Sequence, residues 1–529
     1  MFTPLTPLRC LDRATDLYGQ RLGVVCGERR FTYREFGERS RKLASGLRRH
    51  GIEPGDRVAY LSFNNHQLLE GYFGVPQAGA ILLPLNVRLT PVELAAIVNH
   101  AEPRMLIFEE EFATAASQLK TLCPGVAHWV AIGETAPPAE LNYEELIAAG
   151  QPERADISSI DENAVAELFY TSGSTGSPKG VMLSHRTLYL HALAVMTLYV
   201  EVDSMVYLHT IPFFHANGWG GPQALTYLGV KQVMVRRFDP PTVFRLIEEH
   251  RGTDMYLVPA MANALVNHPE AARYDLSSLR RVFIGGAAST PTLIERVERT
   301  FGCRCYSGYG LTETAPVLAA AIPKAGVEFA SEEERYRRQA MTGFPVIGVE
   351  VRVVDAAMKD VPRDGKTVGE IVTRGDHVME GYWRDPAQTA EAMAGGWFHT
   401  GDMATWDEEG FLQIVDRKKE IIISGGENIS SLEVESAIAS HPAVFECSVV
   451  AAPDDQWGEV PAAFVVLKPG ETLTAEELRS HLAGRLARFK LPKHVYFRDE
   501  PLPKSGTGKI RKAELKEALW RGKQKRVQG

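Results

Sequence analysis

The sequence predicts an α/β protein. A large N-terminal domain of mostly parallel sheets, covered by helices, carries a β-rich subdomain and is followed by a small α+β C-terminal domain. Three observations support this. Helix and strand signals alternate through the first four hundred residues, short strands with glycine turns take over after about residue 345, and a new order begins after Asp416, Arg417, Lys418 and Lys419. A chain of 529 residues is also too long for a single core.

The elements follow in order. Thr32 and Glu35 form a capping-box pattern, and Phe36, Leu43, Ala44 and Leu47 then recur at helical spacing. Gly51 ends that helix, and Arg57 to Ser62 reads as a strand. Thr90, Pro91 and Glu93 open another helix, and Leu106 to Phe108 is strand-like. Further strands are expected at 205–211, 230–235, 254–258 and 281–285, with helices between them, so the sheets should be mainly parallel. The most apolar segment, 71–87, contains two prolines, a glutamine and three glycines, and falls short of the roughly 20 apolar residues of a membrane helix. Residues 323–340 read as a charged, solvent-exposed insertion. VEVRVVD, GEIVTRG and GFLQIVD are the strands of the β-rich subdomain. Beyond 416 the reading is strand 421–424, helix 431–440, strands 446–451 and 462–467, helix 474–487 and a last strand. This places a boundary at 416/417, giving domains 1–416 and 417–529.

A net charge of -8 and a pI of 6.1 argue against non-specific nucleic-acid binding. The six cysteines form no Cys-x-x-Cys pair and read as reduced thiols of a cytoplasmic protein. Cys303 and Cys305 lack a second ligand pair for a metal. The N-terminus has no basic start followed by an apolar core, so no signal peptide is expected, and peripheral membrane contact stays open.

The stretch YTSGSTGSPKG, residues 170–180, carries the chemistry. Its glycines let successive N–H groups turn toward an anion, its hydroxyls add donors and Lys179 adds a full charge. It is not a Walker A loop: Pro178 stands where that loop has glycine, and Gly180 where it has Ser or Thr. By composition alone a flexible linker is an equal reading. Four more motifs follow: Tyr309-Gly-Leu-Thr-Glu-Thr314, Thr400-Gly-Asp402, DRKKE at 416–420 before IIISGGE, and PKSGTGK at 503–509. In this order, over almost the whole chain, they resemble the adenylate-forming superfamily: acyl-CoA synthetases, adenylation domains of peptide synthetases, and luciferases.

The resemblance implies two half-reactions. A carboxylic acid attacks the α-phosphorus of ATP, giving acyl-AMP and pyrophosphate. CoA then takes the acyl group and AMP leaves. Thr171, Ser172, Gly173, Ser174, Thr175, Gly176 and Lys179 would cradle the ATP phosphates. Lys509, flanked by Gly506 and Gly508, would bridge carboxylate and α-phosphate. Glu313 would anchor Mg²⁺, and Thr312 would touch the α-phosphate. Tyr309 would stack on adenine against Gly285, Gly286 and Ala287; a core tyrosine is its other reading. Asp402 would accept the ribose hydroxyls, although turn aspartates after glycine are common. Arg417 would reach ribose or phosphate, while Lys418 and Lys419 read as solvated.

Asp416 matches the family's hinge, about which a mobile C-terminal domain would replace Lys509 by Gly425 and Gly426, lining a CoA tunnel. His215 would sit by the acyl carboxylate, or be a buried structural histidine. Trp219, with Gly220 beside it, would gate an alkyl pocket. Ala216 and Asn217 follow His215 with no acidic residue near, which argues against an amino-acid substrate. An apolar acid is left, and the stretch Phe213 to Trp219 most resembles medium- and long-chain fatty acyl-CoA synthetases, so the resemblance implies a medium- or long-chain fatty acid, with aryl or short- or branched-chain acids and a luciferase-like oxidoreductase as alternatives. The chain stops shortly after Lys509, so free CoA rather than a carrier domain is the expected acceptor; a homodimer is expected from the resemblance.

Overall fold

The computed structural model describes residues 2–171, 178–199, 201–425, 427–483, 485–504 and 510–521. Within these, two large sheets form the N-terminal part. One orders its strands 381–382, 179–184, 165–171, 81–84, 57–61, 105–109, 128–132 and 141–142. The other runs 344–345, 317–320, 304–310, 281–284, 254–257, 206–209, 231–234, 22–26 and 29–32. Their central strands pair in parallel, as the helix–strand alternation requires.

Local signals are realised as local structure. Thr32 caps the helix Tyr33–Arg49 and exchanges bonds with Glu35, and Thr90 does the same with Glu93 for Pro91–Ala101. The apolar segment near residue 71 becomes the helix His66–Gln77, buried at every position, followed by the strand Ile81–Pro84. A helix apolar on all sides is one packed on all sides, and this one touches strands of both large sheets. No helix among the described residues is long and apolar enough to cross a membrane.

The expected exposed insertion at 323–340 is corrected in part. Its second half is the helix Glu332–Gln339, with Tyr336 and Gln339 buried. The Gln339 amide donates to Glu298 (2.9 Å) and to the Cys305 carbonyl (3.1 Å), and Arg335 pairs with Glu298 at 2.8 Å. Charge on one face hid a packed face.

The β-rich subdomain is an antiparallel sheet of Val349–Val354, Gly369–Gly375, Phe398–Trp406 and Leu412–Arg417. The boundary drawn at 416/417 falls inside its last strand. Asp402 lies opposite Arg417, and the Lys418 N–H still donates to the Gly401 carbonyl at 2.9 Å. Beyond it, Val444–Asp454 and Gly458–Leu467 form the long hairpin of a smaller sheet, with His494–Arg498 parallel to its second strand. Helices Ser431–Ala439 and Lys512–Trp520 both pack on Val444–Asp454.

Several histidines are held neutral in the core. Burial pushes His185 and His209 down to about 4. The unfolded chain binds a proton near pH 6.5 that these rings refuse, so their stability is full above about pH 6.5 and is lost as pH falls toward 4. Each should withdraw roughly 2 kcal/mol by about pH 5. The thermal midpoint should therefore drop between neutral pH and about pH 5, and His209→Gln, which keeps a donor for the Gln232 amide oxygen (2.8 Å), should flatten that drop.

Candidate active site

The strand 206–209 has its sequence successor 231–234 on one side and 254–257 on the other. Such a reversal of strand order opens a crevice at the carboxyl ends of a parallel sheet. Several expected site residues, among them His215, Trp219, Gly286, Ala287, Thr312 and Glu313, follow strands of this sheet. Gly285, Gly286 and Ala287 follow the strand Arg281–Ile284, and Gly286 adopts a φ of +77° that a side chain would strain. Tyr309 lies on Arg304–Gly310, and Thr312 and Glu313 lie on the short turn after it.

Two groups of contacts assemble here. In the first, the Tyr309 hydroxyl donates to Asp402 Oδ2 at 2.7 Å and Arg417 Nε lies 3.3 Å from Asp402 Oδ1. Asp402 and Arg417 are cross-strand partners, so sheet register creates the ion pair. Asp402 is only 4% exposed, yet each of its oxygens keeps lone-pair capacity for hydroxyl donors. Burial, with the Asp402 charge beside it, pushes the Tyr309 hydroxyl well above its ordinary value, so it stays a donor.

In the second group, Thr171 ends one strand and Lys179 begins the next, and the two are antiparallel register partners. The short strand 381–382 pairs with 179–184 and brings Tyr382 alongside. The Lys179 ammonium lies 5.0 Å from the centre of the Tyr382 ring, and the Tyr382 hydroxyl donates to Glu313 Oε1 at 2.9 Å. The Met379 N–H holds the Glu313 carbonyl at 2.8 Å. The sequence contained no signal for Tyr382; only the edge pairing places it. Burial lowers the Arg417 guanidinium, but the charges around it, Asp402 first, hold it above its ordinary value. Thr312 is buried beside them.

The expected acyl-pocket residues lie on an unusual turn. Ala216, Asn217, Gly218, Trp219 and Gly220 all have positive φ, between +45° and +78°. Three of the five are not glycine, and such a run costs on the order of 1–2 kcal/mol per non-glycine residue. It turns the Trp219 indole onto Gly285, where a Cβ would meet the ring at 3.1 Å, and 5.6 Å from the Tyr256 ring centre. Asn217 is fully buried and donates to the Ala315 carbonyl at 3.4 Å. His215 is half-buried at the start of the turn. Gly220 is required twice: its φ is +78°, and a Cβ would lie 2.5 Å from His191 Cε1. His191 in turn accepts the Val317 N–H at 3.0 Å. Neither His191 nor its role was legible in the sequence.

Asp416 is fully buried. It accepts the Arg417 N–H at 2.8 Å and the Ser431 N–H at 2.6 Å, so one carboxylate spans the end of one sheet and the start of the next helix. Gly425, at φ +58°, lies under Trp457, whose ring a Cβ would approach to 2.6 Å. The Gly425 N–H donates to the Trp457 carbonyl at 2.9 Å. Ser172, Gly173, Ser174, Thr175, Gly176, Gly426 and Lys509 lie outside the described residues.

Residues 11–383 match the family of AMP-binding enzymes, and residues 433–509 match the AMP-binding enzyme C-terminal domain. The chain belongs to this family. It is 42% identical over 519 residues to a long-chain-fatty-acid–CoA ligase of Thermus thermophilus, covering 96% of this chain and 94% of that one. It is 37% identical to an acetate/butyrate–CoA ligase of Arabidopsis thaliana, covering 97% and 94%. Among solved structures, an anthranilate CoA ligase in complex with anthranoyl-AMP superposes with a TM-score of 0.88 at 25% identity, covering 98% of both chains.

The strain on the turn at 216–220 is measurable. Gly27→Ala is a control, since Gly27 has φ +58° with nothing within 4 Å of a Cβ. It should cost about 1 kcal/mol, whereas Gly220→Ala, which adds the His191 clash, should cost clearly more, about 2–3 kcal/mol. Denaturant unfolding of the two variants checks the order.

Proposed function

We propose that this AMP-binding enzyme activates a carboxylic acid with ATP to acyl-AMP, releases pyrophosphate, and passes the acyl group to CoA, giving acyl-CoA and AMP. The observation that supports it most is the pairing of Asp402 with Tyr309 and Arg417 beside the Glu313–Tyr382–Lys179 chain. Together they form a hydroxyl acceptor, a planar cation, a hard carboxylate and an ammonium in one cleft. The difficulty of the first step is that an anion must approach a triphosphate.

In this reading Asp402 accepts the ribose hydroxyls through the lone pairs that Tyr309 and Arg417 leave over. Tyr309 presents its ring to adenine while its hydroxyl stays tied. Lys179 and the loop between Thr171 and Lys179 hold the β- and γ-phosphates. Thr312 donates to the α-phosphate, and His215 lies by the acid. Lys509 neutralises the charge that collects between carboxylate and α-phosphorus. Glu313 fits Mg²⁺: its carboxylate is a hard oxygen donor, and Tyr382 occupies one oxygen as a neutral donor, not a competing cation. When bound, the metal neutralises phosphate charge. Asp416 would be the hinge, and Gly425 and Gly426 would line the path of the CoA arm. The cytoplasm, where the free cysteines stay reduced, and a homodimer complete the reading.

A medium- or long-chain fatty acid is the proposed substrate, supported by the identity to the Thermus enzyme and by the apolar surroundings of Trp219. A second reading has its own observation. The indole is wedged between Gly285 and Tyr256, so a long chain must displace it and a short acid need not. AMP release with acids from acetate to stearate, plus benzoate and cinnamate, separates the two: activity should peak at eight carbons or more, and a peak at two to four would favour the short-chain reading. Lys509→Ala should lose nearly all carboxylate-dependent ATP–pyrophosphate exchange, by a factor of about 100 or more, and still transfer supplied acyl-AMP to CoA.

A further inference from the structure

Lys512 stands three residues after Lys509 and opens the helix Lys512–Trp520. Its side chain is only 14% exposed. The ammonium donates to Ser431 Oγ at 2.6 Å and to Glu435 Oε1 at 2.8 Å, with Glu420 Oε2 at 3.8 Å. Glu435 also accepts the Val449 N–H at 2.7 Å and the Ser448 hydroxyl at 3.2 Å. Ser431 completes the chain, because its N–H donates to Asp416 Oδ2. Asp416, Ser431, Lys512 and Glu435 are therefore joined by direct contacts of 2.6 to 2.8 Å.

Stability alone does not call for this arrangement. A buried ion pair is commonly matched or exceeded by apolar side chains of the same volume. A cation at the N-terminal turn of the helix Ser431–Ala439 also opposes the helix dipole. What the pair achieves is connection. Lys504 pairs with Glu446 at 2.6 Å, Lys504 and Ile510 form an antiparallel bridge, and the Arg511 N–H donates to the Pro503 carbonyl at 2.8 Å. Those contacts join the segment to itself and to the strand Val444–Asp454. Among the described residues of that segment, it is Lys512 that reaches across to the helix whose first N–H the Asp416 carboxylate holds.

We propose that Lys512 is a positioning residue for the adenylation half-reaction, registering the chain that bears Lys509 to Asp416 through Ser431. Rotation at Asp416 then carries that chain with the helix Ser431–Ala439 as one lever. This rests on the role given to Lys509 above. Lys512 meets neither nucleotide nor acid, so its loss should lower the turnover of one half-reaction without weakening ATP binding.

The test compares two assays in the full-length enzyme: carboxylate-dependent ATP–pyrophosphate exchange, and CoA transfer from supplied acyl-AMP. Lys512→Met should lower exchange kcat about 30-fold or more, leave the KM for ATP within about threefold, and leave transfer within about threefold. Ser431→Ala, which cuts the link and keeps the ion pair, should lower exchange about fivefold with transfer unchanged. If Lys512→Met folds poorly, the apolar pair Lys512→Met with Glu435→Leu replaces it and should show the same split. Exchange near wild type in these variants, with Lys509→Ala inactive, overturns the inference and leaves the functional reading standing. Equal loss of both half-reactions also overturns it, as a merely structural role would. Normal exchange in Lys509→Ala would instead sink the functional reading on which it rests.

Discussion

A buried carboxylate shared by two donors holds the cleft together. Asp402 is accessible only at its edge and would be costly to bury unpaired. Tyr309 and Arg417 satisfy it from two directions. Tyr309 belongs to a large sheet, and Asp402 and Arg417 belong to the antiparallel subdomain, so the contact fastens one to the other. An apolar cluster of Ala319, Val353, Trp406 and Leu412, with Tyr309 packed against it, seals the same junction. Because the chain leaves the subdomain one residue beyond Arg417, the place from which the C-terminal unit departs is set by the same pair.

The charged groups of the site come from several sheets. Lys179 comes from a hairpin end, Arg417 from a subdomain edge, and Glu313 from the turn after a parallel strand. None is near another in sequence. Edge pairing of 381–382 with 179–184 and cross-strand register of 402 with 417 bring them within reach. The turn at 216–220 carries strain instead of charge. Five residues of left-handed backbone aim an indole at Gly285, and the glycines there and at 220 make room for neighbouring rings. Sites commonly hold such strained backbone where the surrounding packing over-determines it.

Much of the fold was legible because its signals are local. Capping boxes at Thr32 and Thr90, the apolar runs of the parallel strands and the glycine-punctuated strands after 345 each act within a few residues. Helix Glu332–Gln339 was missed for a physical reason: its seven charged and amide side chains outweigh Tyr336 in any local count, and only Arg335 and Gln339 reaching Glu298 reveals a buried face. At the site, motif residues such as Asp402, Glu313 and Arg417 stood out by resemblance. Tyr382, His191, Trp457 and Lys512 did not. Each matters through a partner far away in the chain, and one sequence carries no record of such partners.

Residue order by itself determined the succession of helices and strands, the change of organisation near 345 and again after 419, and the motif set that marks an AMP-binding enzyme. These depend on short-range sterics, hydrogen bonding and the periodicity of apolar side chains. Tertiary structure alone decided that Tyr309 and Arg417 share Asp402, that Trp219 rests on Gly285, and that Lys512 reaches Asp416 through Ser431. Contacts of that kind depend on strand register and on how separate sheets meet, and those are settled by packing over the whole molecule.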